Sequence, residues 1–223
     1  MRSSRVMWCA AVFMVLSGSP ASAQTDLPGR IEVSVGAQWL GETALGSKDA
    51  NLTTPTGGAL RLFSTSTSLA GVSGLEARAG VHVWHRVHAE AFGSFSKPPL
   101  NTSVANDYES SPSTTASETI KQYIVGGSAV WYLPQSPGSR FFPFASGSVA
   151  YLRQLHESDT LASTGRLYEL GGGIKYLLRS QATGLKGAGV RGDVRVQLWK
   201  HGVAFDEGLQ SRPTVVGAFF VRF

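Results

Sequence analysis

His82, His85 and His88 recur at intervals of three, and imidazole is the commonest metal ligand. An extended strand has a side-chain period of two, so 82 and 88 share a face while 85 takes the other face or a turn. A zinc-type site needs its ligands to converge to about 2 Å from one ion, which this spacing does not provide. The three histidines read as interior and interface residues, and no metal or cofactor is expected. Ser94 and Ser96 follow His88, and His156 and His201 stand farther along. Serine beside histidine is the material of acyl transfer, but no short motif joins a serine, a histidine and a carboxylate here, and such sites are defined by geometry. Gly171-Gly172-Gly173 suggests a phosphate loop, yet Ile174–Leu178 continues as a strand. Glycines that let strands bend or pack closely are the better reading. Arg191-Gly192-Asp193 spells an adhesion tripeptide but sits inside a strand pattern. No catalytic residue is assigned.

The charges with the clearest pattern are Glu32, Glu76, Arg78, Glu90, Glu169, Lys175, Arg191, Asp193 and Arg195. Each alternates with apolar or small residues. Alternation over eight to twelve residues is the mark of a strand with two unlike faces. Eight such stretches can be found. They are Arg30–Leu40, Gly74–Trp84, Val87–Ser96, Thr119–Leu133, Phe141–Leu152, Arg166–Leu178, Val190–Trp199 and the terminal Arg212–Phe223. In Gly74–Trp84, for example, Leu75, Ala77, Ala79, Val81 and Val83 oppose Glu76, Arg78, Gly80 and His82. The fifth stretch is ambiguous, because Phe141, Phe142 and Phe144 put aromatic rings on both faces. Leu60–Thr67 has strand character but lies in the long connection Gly41–Ser73. It either extends a hairpin or adds to the strand count.

Composition bounds what these strands can build. Charged residues make up 16 % of the chain, against about 25 % in ordinary soluble proteins. Glycine accounts for 26 of 223 residues, well above the usual share of about 7 %. After residue 23 no apolar run approaches the roughly 20 residues of a membrane-spanning helix. The formal charge of +5 falls to +3 if Arg2 and Arg5 are removed. The basic residues form no stripe with stacking aromatics, so nucleic acid is not an expected partner.

Residues 1–23 carry Arg2 and Arg5, an apolar run Val6–Leu16, helix-breaking Gly18 and Pro20, and Ala21-Ser22-Ala23 before Gln24. That order is expected of a secretory signal peptide cleaved between Ala23 and Gln24. The mature domain is then 24–223. Cys9 is the only cysteine, so the mature chain could use neither a disulfide nor a thiolate.

Read backwards in steps of two, Phe223, Val221, Phe219, Gly217 and Val215 form one mostly apolar face. With the alternating strands and the export signal, this terminal strand resembles that of small bacterial outer-membrane β-barrel proteins. The resemblance implies an all-β fold, a closed antiparallel up-and-down transmembrane β-barrel of eight strands preceded by a signal-peptide helix. It implies that Phe223 is an insertion signal read by the barrel-insertion machinery after periplasmic chaperones. Outer-membrane lipid would be the surroundings, and a monomer the expected state. Connections after strands one, three, five and seven would be the outer ones; Gly41–Ser73 and Lys97–Glu118 are long, as that requires, and Arg153–Gly165, Arg179–Gly189 and Lys200–Ser211 are medium. The charged face would then line a paired, plugged interior together with His82 and His88. Trp39, Trp84, Phe95, Trp131, Tyr176, Trp199 and Phe223 would form outward aromatic girdles.

The function so expected is that of a non-enzymatic surface protein of the cell envelope whose outer loops bind ligands or host or envelope components. The alternatives are a lipid A-modifying outer-membrane enzyme and a soluble periplasmic β-barrel.

Overall fold

The computed structural model describes residues 30–53, 57–105, 112–136, 138–156, 161–182, 185–201 and 209–223. The expected signal segment, with Ala23 and Gln24, lies outside them. Twelve strands run β1 (Ile31–Leu40), β2 (Thr43–Thr53), β3 (Ala59–Leu69), β4 (Val72–Trp84), β5 (Val87–Ser96), β6 (Pro99–Ala105), β7 (Thr114–Thr119), β8 (Lys121–Tyr132), β9 (Phe141–Leu155), β10 (Ala162–Ala182), β11 (Leu185–His201) and β12 (Gln210–Arg222).

Eight of them close a barrel in the order β1-β12-β11-β10-β9-β8-β5-β4, every pair antiparallel. The other four form a second sheet in the order β2-β3-β6-β7. The second sheet continues the wall of the first: β1 passes into β2, β3 into β4, β5 into β6 and β7 into β8 across one or two residues. Leu60–Thr67 therefore belongs to a hairpin that rises from the barrel, and the barrel count stays at eight.

The ring closes between the first and last strands. Glu32 lies opposite Arg222 and Leu40 opposite Thr214. Beyond the ladder, Arg30 N–H donates to Phe223 O and Phe223 N–H to Ile31 O, both at 2.9 Å. Closure gives each barrel strand two neighbours, the condition for a backbone that meets no water.

The outward face carries Val33, Val35, Leu75, Val81, Val125, Val149, Leu170, Ile174, Val196 and Phe219, all exposed. Trp39 and Tyr123 lie toward the distal end of this face, and Trp84, Trp131 and Phe141 toward the end that holds the termini. From Ile31 to Trp39 the strand rises eight residues, which at about 3.3 Å each and a tilt near 40° spans roughly 20 Å. That matches the apolar band of a membrane barrel. Such an expanse of exposed apolar surface is not stable against water.

Three sequence expectations need correction. Trp199 is 3 % exposed and points inward, because it is in phase with Arg191, Asp193, Arg195 and Gln197 and not with Val194 and Val196. The connection expected at Arg179–Gly189 is mostly strand, since Arg179 pairs with Ala188 and Ser180 with Gly187 after a register slip next to Leu178. This end of the hairpin extends past the apolar band, so it shows no apolar alternation. The long connection Lys97–Glu118 also contains paired strands, β6 and β7. The ambiguity at the fifth stretch resolves by phase: Phe142 and Phe144 are buried inside, and Phe141 faces out.

Candidate functional site

The interior is layered. The middle layer holds Glu32, Glu76, Glu90, Glu169 and Asp193 with Arg78, Lys175, Arg191, Arg195 and Arg222, all at most 5 % exposed. Period two places Glu76 with Arg78, and Arg191 with Asp193 and Arg195, on one face of a single strand. Arg78 Nε donates to Glu76 Oε1 at 2.7 Å, and Arg191 Nε to Asp193 Oδ2 at 2.6 Å.

The remaining contacts bridge between strands distant in sequence. Arg195 donates to both oxygens of Glu76, at 2.7 and 3.0 Å. Arg191 Nη1 reaches both oxygens of Glu90, at 2.9 and 3.0 Å. Lys175 Nζ donates to Glu32 at 2.5 Å, to Tyr132 Oη at 2.6 Å and to Glu90 at 3.3 Å. Arg222 Nε donates to Glu32 Oε2 at 2.7 Å. Glu169 accepts from Gln197 Nε2 at 2.9 Å and lies 3.6 Å from Arg195. Five carboxylates face five cations, so the layer is close to neutral, as burial demands.

The glycine triplet serves this layer. A Cβ on Gly171 would stand 2.3 Å from Val194 O and 2.8 Å from Arg195 Cγ, and one on Gly173 would stand 2.2 Å from Gly192 O and 2.5 Å from Asp193 Cβ. β10 is bare there because β11 carries the charges.

Apolar plugs close both sides of the charged layer. Toward the termini lie Val130, Tyr132, Phe142, Phe144, Leu177 and Phe220, and the Arg222 guanidinium packs over the Phe220 ring at 5.0 Å. Toward the distal end lies a cluster that includes Phe92, Ile124, Leu152, Leu167 and Trp199, together with Leu45, Leu69 and Leu100 from the second sheet. The roots of that sheet thus complete the distal plug.

Arg212 and Arg222 are the charged residues that the pattern reading left out. Both are even-numbered positions on β12, out of phase with Val215, Gly217 and Phe219, so alternation already places them inward. Arg212 meets backbone instead of a carboxylate: Nε donates to Gly41 O at 2.6 Å and Nη2 to Ala70 O at 3.1 Å. Gly41 and Ala70 are the joints where β1 gives way to β2 and β3 to β4. Thr43 Oγ1 donates to Ser211 O at 3.0 Å beside them. β12 therefore clamps the root of the distal sheet.

The sequence-marked histidines form no common site. His82 and His88 stack at 5.0 Å, His82 Nε2 meets His85 O at 2.8 Å, and His88 sits edge-on to Tyr132. Ser96 is at the other end of β5 from His88, eight residues away, roughly 26 Å along the strand. His156 pairs with Glu118 at 3.0 Å on the distal rim. The His201 side chain lies outside the described residues.

Above the distal plug the lumen-side face of the second sheet mixes threonines with apolar residues, Thr65, Thr67 and Thr102 beside Phe63 and Val104. Phe63, Thr65 and Thr67 alternate on one face of β3 above Leu69, and Thr67 Oγ1 lies 3.4 Å from Thr102 Oγ1 of β6. A cavity of about 320 Å³ opens here, lined among others by Gly46, Lys48, Asp49, Phe63, Thr65 and Thr67. Register shifts between Ala44 and Gly46 and between Ala50 and Asn51 bracket it. Gly46 has φ of 125°, a conformation open to glycine and strained for other residues.

The architecture is that of outer-membrane barrels of known structure. Neisserial surface protein A (NspA) superimposes with a TM-score of 0.53 at 14 % identity, over 86 % of this chain and 97 % of its own. The outer membrane protein OprG from Pseudomonas aeruginosa gives 0.53 at 13 %, over 88 % and 96 %. At these identities the likeness establishes the fold, an eight-stranded antiparallel barrel. No family model matches the chain, and no curated protein matches its sequence.

Proposed function

We propose that this chain is a non-enzymatic surface protein of the bacterial outer membrane, in which a sealed barrel is the anchor and the distal four-stranded sheet is the binding element. The observation that carries the reading is the contrast along the barrel axis. The interior is filled by a paired charge layer between two apolar plugs, whereas the wall beyond it carries a cavity lined among others by Lys48, Phe63, Thr65 and Thr67. A filled lumen supports an anchor better than a conduit, and a rigid scaffold that holds a variable polar surface is a common arrangement for binding.

In this reading residues 1–23 direct export and are cleaved at Ala23–Gln24. Phe223 marks the last strand for the insertion machinery after passage with periplasmic chaperones. The barrel sits in outer-membrane lipid as a monomer, with the termini and the turns at 85–86 and 133–140 in the periplasm. No metal or cofactor takes part.

Fractionation tests the anchor. The chain should stay with the outer membrane through osmotic shock and show heat-modifiable migration in detergent gels; release without detergent overturns it. Replacing 44–68 and 100–118 with short turns tests the binding element. Cells producing the trimmed barrel should insert it normally but lose adhesion to immobilised lipopolysaccharide and to mucin. Unchanged adhesion removes the binding role. A changed lipid A mass spectrum in producing cells would favour the enzyme alternative.

A further inference from the structure

We propose that the cavity on the distal sheet is a saccharide subsite in which Phe63 is the stacking platform. The inference rests on the reading of the distal sheet as the binding element and names the class of ligand for it.

The site is built by the backbone before any side chain acts. The two register shifts bracket Gly46–Ala50, so this part of β2 twists differently from the strand on either side. Facing it across the ladder, Ala50 pairs with Phe63, Lys48 with Thr65 and Gly46 with Thr67. The result is a hollow of about 320 Å³, at the low end of the roughly 300–1,000 Å³ of small-ligand sites.

The side chains select the occupant. Phe63 is 37 % exposed on the lumen-side face, the one aromatic residue among the described residues of the distal sheet. An aromatic ring has a negative face, which attracts the partly positive C–H groups on one side of a pyranose ring. On the same face stand the Thr65 and Thr67 hydroxyls and, paired with Thr65 across the ladder, Lys48. Hydroxyls need both donors and acceptors, and this set supplies both. A fatty acid would call for a cation above a long apolar tunnel; here the cavity is small, about 320 Å³. A phosphate or sulfate would call for several cations, and Lys48 is the one cation of this lining. A polyhydroxylated ring with an apolar face satisfies the whole lining.

The test uses the full mature chain refolded in lauryldimethylamine oxide, a detergent without a sugar headgroup. Saturation-transfer NMR is run with N-acetylglucosamine, galactose and glucose, and with octanoate as the apolar control. At least one sugar should receive saturation, most strongly at its ring C–H protons. Phe63→Ala should weaken that binding at least tenfold, and Phe63→Trp should retain it. Heat-modifiable migration checks that each variant has folded. The inference fails if no sugar is saturated, if Phe63→Ala leaves binding unchanged, or if octanoate binds with the same dependence on Phe63. Adhesion separates the two levels of the argument. Loss of adhesion on trimming the sheet, with full adhesion in Phe63→Ala, removes the saccharide subsite and keeps the binding role. Adhesion indifferent to both changes removes the binding role itself.

Discussion

The barrel interior and the distal sheet are made from the same chain by opposite means. Inside, charges are buried and joined across long sequence separations: Arg222 to Glu32 over 190 residues, Arg195 to Glu76 over 119. In the distal sheet Arg61 and Asp49 approach only to 3.9 Å, with their side chains about half exposed. Ser and Thr supply 14 of the 35 strand residues there, and order comes from backbone ladders with two register shifts. The first arrangement fixes one structure, because any change of register strands a buried charge. The second tolerates substitution, because little is buried above the root. A locked region and a tolerant one are thus separated along the barrel axis, and Arg212 sits at the boundary.

The largest effect should come from breaking the charge layer on one side only. Glu90 accepts from Arg78, Lys175 and Arg191. Glu90→Leu leaves those cations short of a partner, and one-sided removal of a buried charge partner costs about 3–5 kcal/mol. The expected outcome is a markedly lower midpoint for loss of heat-modifiable migration, or failure to refold. A variant within about 1 kcal/mol of wild type, a loss typical of ordinary substitutions, would mean that the layer does not lock the barrel.

The boundary should give a smaller and more local effect. Arg212→Met keeps the apolar stem but removes hydrogen bonds to Gly41 O and Ala70 O. Charged hydrogen bonds contribute about 1.5–3 kcal/mol each, though methionine relieves the burial of an uncompensated cation. The readout that separates root from barrel is amide hydrogen exchange. Protection should fall in β2 and β3 while β9, β10 and β11 keep theirs. A uniform loss would make Arg212 part of the barrel lock and erase the boundary.

The same contrast explains what could be read before the structure was known. Barrel strands were legible because one face meets apolar surroundings and the other a charged lumen, which writes period two into Gly74–Trp84 and Val190–Trp199. Same-strand pairs such as Glu76 with Arg78 follow from that period. Cross-lumen partners do not, since the sequence carries no record of which strands stand opposite one another in the ring. Arg222 could have been found by phase alone; its attachment to Glu32 could not. β6 and β7 were unreadable because both of their faces carry Ser or Thr, so Ser/Thr runs there look like loop. Residue type sends Trp199 to the outer girdle, whereas its phase with Arg191 and Arg195 places it inside. Phe63 gave no signal until β3 was paired with β2 around it.

Within the distal sheet, Gly46 should matter more than any charge. Gly46→Val forces a β-branched residue to φ of 125°, a strain of about 1–3 kcal/mol. The expected loss is confined to exchange protection in Thr43–Thr53, with the barrel's thermal midpoint unchanged. A fall in that midpoint would mean that the distal sheet and barrel unfold as one unit.

The smallest effect completes the comparison from the other side. Arg61 and Asp49 form an ion pair at 3.9 Å with side-chain exposures of 53 % and 47 %. Water already solvates both groups, and exposed pairs contribute about 0–1 kcal/mol. Arg61→Ala should leave the thermal midpoint and the exchange protection of β2 and β3 within error, and added salt should not change that. The residue type is the same as in Arg195 and the fold surrounding it is continuous, so only burial separates the two cases. If Arg61→Ala destabilised the distal sheet by more than about 1 kcal/mol, beyond the range of an exposed pair, the sheet would be held by charge much as the lumen is, and the division between a locked anchor and a tolerant binding surface would not stand.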